Sequence, residues 1–456
     1  MDLQGRNALV VGLARTGEAT ADFLLRRGAR VTITETKSLE DLGPKAAFWL
    51  RRGAALETGG HRRETFLSAD LIIPSPGVPR RPEFAAAMER GIPVLSEIEL
   101  AVRFLKGAIV GITGTNGKST TTTLLHRILK DAGRNAFLAG NIGTPLISFV
   151  DRSRDDHIYA TEISSFQLEY IREFRVSLAL ILNLSGNHLD WHGSMDEYAE
   201  AKKKLILGQK PGDAAVLNRE DTRVWPWGKT AASTIYGFSG KRAVARGAFF
   251  RDGWVVVKEG GEEKRILPAA EIKLPGPHNL ENVLAAAAAA RILGVAPSRI
   301  RGTVRAFRGL EHRLEPVASV RGVRFVNDSK ATTVDAALKA LASFSRPVVL
   351  ILGGKDKGSD FRTLRKAVRS GVKSVVLVGA DREKIRAALK GAVPLRDAGS
   401  YAEVVRTAFE AAAPGDVVLL APACTSWDMF RDFEERGRVF KREVRRLASG
   451  LKRKRG

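Results

Sequence analysis

Short apolar blocks, each running into a loop that carries glycine or an acid, alternate along this chain with longer stretches that are apolar at every third or fourth position. Unbroken apolar blocks of strand length followed by helix-period segments predict parallel strands covered by helices. In the first segment residues 7–12 read as a buried strand, 12–17 as a tight turn and 18–27 as an amphipathic helix. Residues 28–34 then form a second strand with Glu35 at its carboxyl end. The block 71–77 closes a further strand in a loop braced by Pro74, Pro76 and Gly77, and a seam follows near 91–99. The second segment has strands at 108–113, 158–161 and 178–182, with Glu162, Asn183 and His188 in the loops after them, and a helix at 195–207. Residues 231–266 are turn-rich and strand-like, which predicts a small antiparallel insertion. Residues 275–282 open an alanine-rich helix to 293, with Gly294 as its C′ residue. From 309 onward the alternation returns: strands at 323–327, 348–352, 375–379 and 416–420, helices at 334–341, 361–370 and 402–411. The expectation is three α/β domains, spanning 1–97, 98–308 and 309–456.

Candidate chemistry concentrates at Gly114-Thr-Asn-Gly-Lys-Ser-Thr-Thr-Thr122, directly after the strand 108–113 and before a helix carrying Leu124, Leu125, Ile128 and Leu129. A glycine-rich turn feeding a helix N-terminus gathers backbone N–H groups around a polyphosphate. Lys118 supplies a point charge for the outer phosphates and Ser119 a hydroxyl for Mg²⁺. The strict phosphate-loop pattern asks for glycine where Ile112 stands, and glycines occupy 111 and 114 instead. The first-segment turn resembles a dinucleotide fingerprint with Glu35 placed for a ribose hydroxyl, but its middle glycine is Ala14. That side chain disfavours close approach of a pyrophosphate, so a mononucleotide edge is expected rather than NAD.

The overall balance changes this picture little. A single cysteine, Cys424, excludes a disulfide framework and suits a reducing cytoplasm. No secretory leader and no apolar run of membrane-spanning length is read from the sequence. The formal net charge of +24 invites a nucleic-acid reading, but the basic residues are spread along the chain. The dense clusters, 202–204 and 452–455, come without a nucleic-acid-binding motif, and the tail is expected to be a frayed, solvated end. His188 and His192 are four apart, yet no glutamate stands in the metalloprotease position, so zinc is not expected. A basic ATPase acting on nucleic acid and an NAD-dependent oxidoreductase stay as the competing classes.

Ten motifs, in order, resemble those of the Mur ligase family of ATP-dependent amino-acid ligases. They are Gly114-Thr-Asn-Gly-Lys-Ser-Thr120, Gly140-Asn-Ile-Gly-Thr-Pro145, Glu162-Ile-Ser-Ser-Phe-Gln-Leu-Glu169, Asn187-His-Leu-Asp190 and Tyr198-Ala-Glu-Ala-Lys202 in the first part of the chain. His278-Asn-Leu-Glu-Asn282, Glu311-His-Arg313, Asn327-Asp-Ser-Lys-Ala-Thr332, Gly353-Gly-Lys-Asp-Lys-Gly358 and Pro422-Ala-Cys-Thr-Ser-Trp-Asp428 follow. The Ser-Ser-Phe-Gln and Gly-Gly-Lys-Asp-Lys-Gly segments point to the D-glutamate-adding branch, and no Asp-Asn-Pro-Arg tetrapeptide of the diaminopimelate- or lysine-adding type is present.

The resemblance implies a Rossmann-like first domain, a P-loop ATPase-like central domain and a Rossmann-like third domain. It implies an ATP-dependent ligase of peptidoglycan synthesis that joins D-glutamate to UDP-N-acetylmuramoyl-L-alanine through an acyl-phosphate, acting as a cytoplasmic monomer with no nucleic-acid partner. By the same resemblance Lys118, Glu162, His188 and Lys202 are catalytic. Gly114, Thr115, Asn116, Gly117, Lys118, Ser119, Thr120, Asn282, Arg313 and Asp328 bind ATP. Ser119 and Glu162 hold one Mg²⁺, and His188 with a CO₂-derived carbamate on Lys202 serves a second, Mn²⁺ being a substitute. Arg15, Thr16, Glu35, Thr36, Ser75, Gly77 and Asn141 face the UDP-sugar, and Thr332, Lys357, Ser426 and Phe433 the D-glutamate. Arg15 and Lys37 depart from residues found in some relatives.

Overall fold

A computed structural model describes residues 1–186, 189–274, 276–356 and 358–453 of the chain. It separates into two compact units, Met1–Phe307 and Arg308–Gly456.

The first unit holds two sheets. One is fully parallel, in the order Ala55–Thr58, Arg30–Glu35, Asn7–Val11, Leu71–Pro74. The helix after Asn7–Val11 spans Arg15–Arg26, so Arg15, Thr16 and Gly17 form its first turn rather than a loop. Gly17 is needed there, because a Cβ would lie 2.0 Å from the Gly12 carbonyl oxygen.

The second sheet has nine strands, ordered Glu262–Pro268, Trp254–Glu259, Gly247–Arg251, Thr234–Ser239, Ala214–Asn218, Leu178–Ile181, Ala108–Thr113, Ile158–Glu162, Ala136–Gly140. Residues 231–266 are therefore not a separate antiparallel insertion. Thr234–Ser239 joins the central sheet parallel to Ala214–Asn218, Gly247–Arg251 is parallel to it in turn, and only the last two strands pair antiparallel. The helix Pro277–Ile292 packs on this sheet through the buried alanines Ala285 to Ala290, whose short side chains let backbone approach backbone. Gly294 follows it at φ +75°, as a C′ glycine should.

The helix Glu97–Val102 ties the two sheets together with buried carboxylates. Glu99 accepts the backbone N–H groups of Arg172, Glu173 and Phe174 at 2.8 to 3.2 Å and pairs with Arg103. Glu97 accepts from Ile147 N at 2.7 Å through Oε1, while Oε2 has no partner among the described residues. Burial pushes its carboxyl up to about 7, against the hydrogen bonds from Ile147 and Leu146. Below pH 4.5 both folded and unfolded states carry the proton and nothing is lost. As pH rises to about 7 the unfolded state releases it first, so stability falls. Glu97→Gln should accordingly stabilise the first unit by up to about 3 kcal/mol above pH 7 and give no gain below pH 4.5. Urea unfolding at pH 4 and pH 8 would show it, and an equal effect at both would contradict the assignment.

The second unit is a six-stranded sheet, Glu315–Val320, Val323–Asn327, Val417–Leu420, Val348–Gly353, Val372–Val378, Leu395–Asp397. Its central strands Val348–Gly353 and Val417–Leu420 are buried throughout, the mark of parallel strands covered on both faces. The edge strand Glu315–Val320 pairs antiparallel. The expected helix over 361–370 is a 3₁₀ turn, Phe361–Leu364, followed by the helix Arg365–Gly371. The helix Phe433–Arg453 takes in the first two residues of the expected frayed end, and residues 454–456 lie outside the described part.

Candidate active site

In the first unit the candidate residues gather where parallel strands end, as ligand sites of open α/β sheets do. Ala108–Thr113 delivers the phosphate loop, with Gly114 at φ +150° and Gly117 at φ +81°. Gly117 is the N-cap of the helix Lys118–Asp131, and a Cβ on it would sit 2.2 Å from Asn282 Oδ1. Asn183 pins the loop from the neighbouring strand end: its Oδ1 accepts from Asn116 N at 2.8 Å and its amide donates to Asn116 O at 3.2 Å. Thr115 accepts from Ser185 N at 3.0 Å and donates to Ser185 O at 3.1 Å. Lys118 curls over the loop, its Nζ donating to Gly114 O and Thr115 O, both at 2.9 Å. Thr121 donates to Asn282 Oδ1 at 3.2 Å, which brings Asn282 against the start of the same helix.

Lys202 is 1 % exposed, on the inner face of the helix Met195–Leu207. Its Nζ donates to Thr113 Oγ1 at 3.2 Å and lies 4.7 Å from the centre of the Tyr198 ring. Burial above all, and then repulsion from Lys118, hold its amine well below the usual lysine range, against the attraction of Glu162. Glu162 ends the strand Ile158–Glu162 and is 2 % exposed. Its Oε1 accepts from Asn141 Nδ2 at 3.0 Å, while Oε2 is buried with no hydrogen-bond partner among the described residues. A buried carboxylate oxygen left bare is the donor a cation needs. Ser119 is buried at the helix start. His188 lies outside the described residues. His192 is fully buried, its Nε2 2.9 Å from Ser165 Oγ and its ring stacked 5.8 Å from Phe166, which gives it a structural place.

Asn141 links this centre to the first sheet, because Arg15 Nη2 donates to Asn141 O at 3.4 Å. Glu35 accepts from Leu13 N at 2.8 Å and from Thr36 N at 2.9 Å. Partial burial raises its carboxyl, but the hydrogen bonds from Leu13, Lys37 and Thr36 outweigh it and hold the group below the usual range. Thr16 sits in the adjoining helix turn. Ser75 donates to Gly12 O at 2.8 Å, so its hydroxyl braces the turn, and Gly77 follows at φ +91°.

In the second unit, Asp328 follows the strand Val323–Asn327 and is 7 % exposed. Burial pushes its carboxyl up to about 6, against the hydrogen bond from Leu314 N and the charges of Arg313 and Lys330. Arg313 is exposed between two residues at positive φ, His312 and Leu314. Ser426 is buried, Thr332 half-buried, and Phe433 lies 6.2 Å, centre to centre, from the His312 ring. Lys357 lies outside the described residues. Sequence reasoning passed over Arg436, which is 1 % exposed and ties this loop system together. Its guanidinium donates to the carbonyls of Cys424, Thr425 and Ser329 and to Ser329 Oγ at 2.9 to 3.1 Å. Among the described residues, Glu311, His312 and Glu315 are the group spaced for a metal. Lys441 Nζ already pairs with both carboxylates, 2.5 Å from Glu311 and 2.9 Å from Glu315.

Three family models match the chain: "Mur ligase MurD-like, N-terminal domain" over residues 6–96, "Mur ligase middle domain" over 112–290 and "Mur ligase, glutamate ligase domain" over 312–424. A UDP-N-acetylmuramoylalanine–D-glutamate ligase of Acidobacterium capsulatum is 49 % identical over 97 % of this chain and 96 % of its own length. The protein of that name from Koribacter versatilis is 45 % identical over 98 % of this chain and 99 % of its own. Among solved structures, a UDP-N-acetylmuramate-alanine ligase from Thermotoga maritima aligns with a TM-score of 0.56 at 20 % identity, covering 98 % of this chain and all of that one. A pseudomurein peptide ligase type C from Methanothermus fervidus aligns with a TM-score of 0.53 at 18 % identity, covering 97 % of this chain and all of that one. At such identity these two speak for the fold alone. Among the described residues no helix is long and apolar enough to cross a membrane.

Proposed function

The chain belongs to the Mur ligase family, and from that premise we infer that it is the ATP-dependent ligase adding D-glutamate to UDP-N-acetylmuramoyl-L-alanine in peptidoglycan synthesis. The observation that carries this reading is the near-full-length identity to D-glutamate ligases, together with the buried Lys202 amine set among Lys118, Glu162 and Thr113. A carboxylate must be activated before an amine can displace oxygen from it. In the first step the L-alanine carboxylate oxygen attacks the γ-phosphorus of ATP and ADP leaves. In the second the D-glutamate nitrogen attacks the acyl carbon and phosphate leaves.

The loop from Gly114 to Thr120 and Asn282 hold ATP in this account, and Lys118 offsets the charge of the transferring group. Ser119, the bare Oε2 of Glu162, His188 and a carbamate on Lys202 would hold two Mg²⁺ ions, or Mn²⁺, which would supply charge neutralisation between the two anions. Arg313 and Asp328 serve the nucleotide, and Thr332, Lys357, Ser426 and Phe433 the D-glutamate. Arg15, Thr16, Glu35, Thr36, Ser75, Gly77 and Asn141 serve the UDP-sugar. The functional domains are assigned to 1–97, 98–308 and 309–456, and the enzyme to the cytoplasm as a monomer.

Mass spectrometry of the product from the UDP-muramoyl-alanine precursor, ATP and either D- or L-glutamate tests the reading. An amide with the D-isomer only is expected, and phosphate release that ignores D-glutamate would overturn it. Lys357→Ala should raise the KM for D-glutamate about tenfold or more while moving that for ATP little, since a fixed cation pairing a carboxylate is lost. Steady-state kinetics with each substrate varied reads the split.

A further inference from the structure

The second unit contains a cavity of about 640 Å³ that none of the residues assigned above lines. It opens where the strands Val348–Gly353 and Val372–Val378 begin and the helices Val334–Leu341 and Arg365–Gly371 end. Asp328 and the Gly353-Gly354 loop lie at the other, carboxyl ends of this sheet's parallel strands. The floor is apolar, formed by Leu338, Leu341, Phe344, Pro347 and Ala367. The rim is basic. Arg346 and Arg369 are exposed there, and neither guanidinium has an ion pair or hydrogen bond with any described residue. Lys373, also on the rim, is already neutralised by Asp416 at 3.0 Å. Two helix C-termini place partial negative charge at the mouth, each worth about half an elementary charge, which two full guanidinium charges exceed. A second cavity shares Arg369 and Ser370 and adds Arg365 and Lys366, which continue the positive field beyond the rim, and Arg362, which Asp360 neutralises at 2.8 Å.

A volume in the range of small-molecule sites, an apolar floor and a few converging charged donors are the composition of a ligand pocket. We propose that this cavity binds an organic monoanion with an apolar body, a medium-chain carboxylate being the simplest member of the class. The chain is laid on Leu338, Phe344 and Ala367, and the head group pairs with Arg346 and Arg369. Such a ligand would be distinct from the substrates, whose proposed residues lie elsewhere.

Calorimetric titration of the full chain with octanoate tests this, with octanol as the neutral counterpart. Octanoate is expected to bind with a dissociation constant below about 1 mM, and octanol at least about tenfold more weakly, since charge-assisted hydrogen bonds are lost. The double variant Arg346→Ala/Arg369→Ala should weaken octanoate about tenfold or more, with turnover unchanged. Ala367→Trp, which fills the floor, should remove binding. Saturating ATP and D-glutamate should leave octanoate binding as it was. No octanoate binding, equal binding of octanol, equal binding by the double variant, or displacement by ATP would each overturn the proposal. Loss of turnover in Lys118→Ala tests the ligase reading separately, since octanoate binding does not depend on it.

Discussion

Lys118→Ala should lower the rate of ADP formation by a factor of about 10³ or more, with the folded structure intact. The ammonium is the one cation that the phosphate loop itself contributes, and it stands at the N-terminus of a helix whose first N–H groups face the same volume. Two of its hydrogen bonds go to Gly114 O and Thr115 O, within its own loop. The expected change in thermal midpoint is small. A second effect travels through Lys202. Repulsion from Lys118 is one of the causes that hold the Lys202 amine below the usual lysine range, so its loss lets that amine hold its proton to higher pH. The variant should be dead for two reasons, and Lys118→Arg, which keeps a charge but not its compact form, should also fall far below wild type. Coupled-enzyme detection of ADP with melting curves on the same samples makes the check. A loss smaller than tenfold in a folded variant would remove Lys118 from phosphoryl transfer.

Much of this site was legible because its signals are local. A strand, a glycine turn, Lys118 and Ser119 follow one another in sequence, and chain geometry alone sets them at a helix start. What the sequence could not reveal is long-range. Thr113 receives Lys202 across 89 positions and Thr115 meets the Tyr198 hydroxyl across 83, and neither pairing leaves a periodic trace. Strand content over 231–266 was readable, but its direction was not, since parallel and antiparallel neighbours present the same alternation. The helix Phe433–Arg453 escaped notice because its many charges hide the stripe Val439, Phe440, Val444, Leu447, Leu451, which is spaced for one face. Arg436 sits in that helix among solvated arginines, and only the fold shows that its donors are spent on carbonyls.

Lys202→Ala should reduce turnover about a hundredfold or more and regain part of it with millimolar acetate or propionate. An ammonium cannot ligate a cation, so a lysine beside a bare glutamate oxygen, buried with one hydroxyl for company, is an unstable choice unless it works as something else. Burial and Lys118 favour its neutral form, and a neutral amine attacks CO₂: a nitrogen–carbon bond forms, one proton leaves, and a carboxylate-bearing side chain results. The sign of the pH effect follows. Below the depressed amine pKa the group is protonated and cannot react, so activity should fall with acidification and respond to added bicarbonate near that limit. In the alanine variant a short acid can take the vacated volume and present the missing oxygens, whereas Lys202→Arg fills the space and should not be rescued. Wild-type enzyme equilibrated with ¹³C-bicarbonate should give a carbonyl resonance that Lys202→Ala lacks. Absence of that resonance together with no rescue by either acid would show that Lys202 acts as an amine, and the second cation would then lose its ligand.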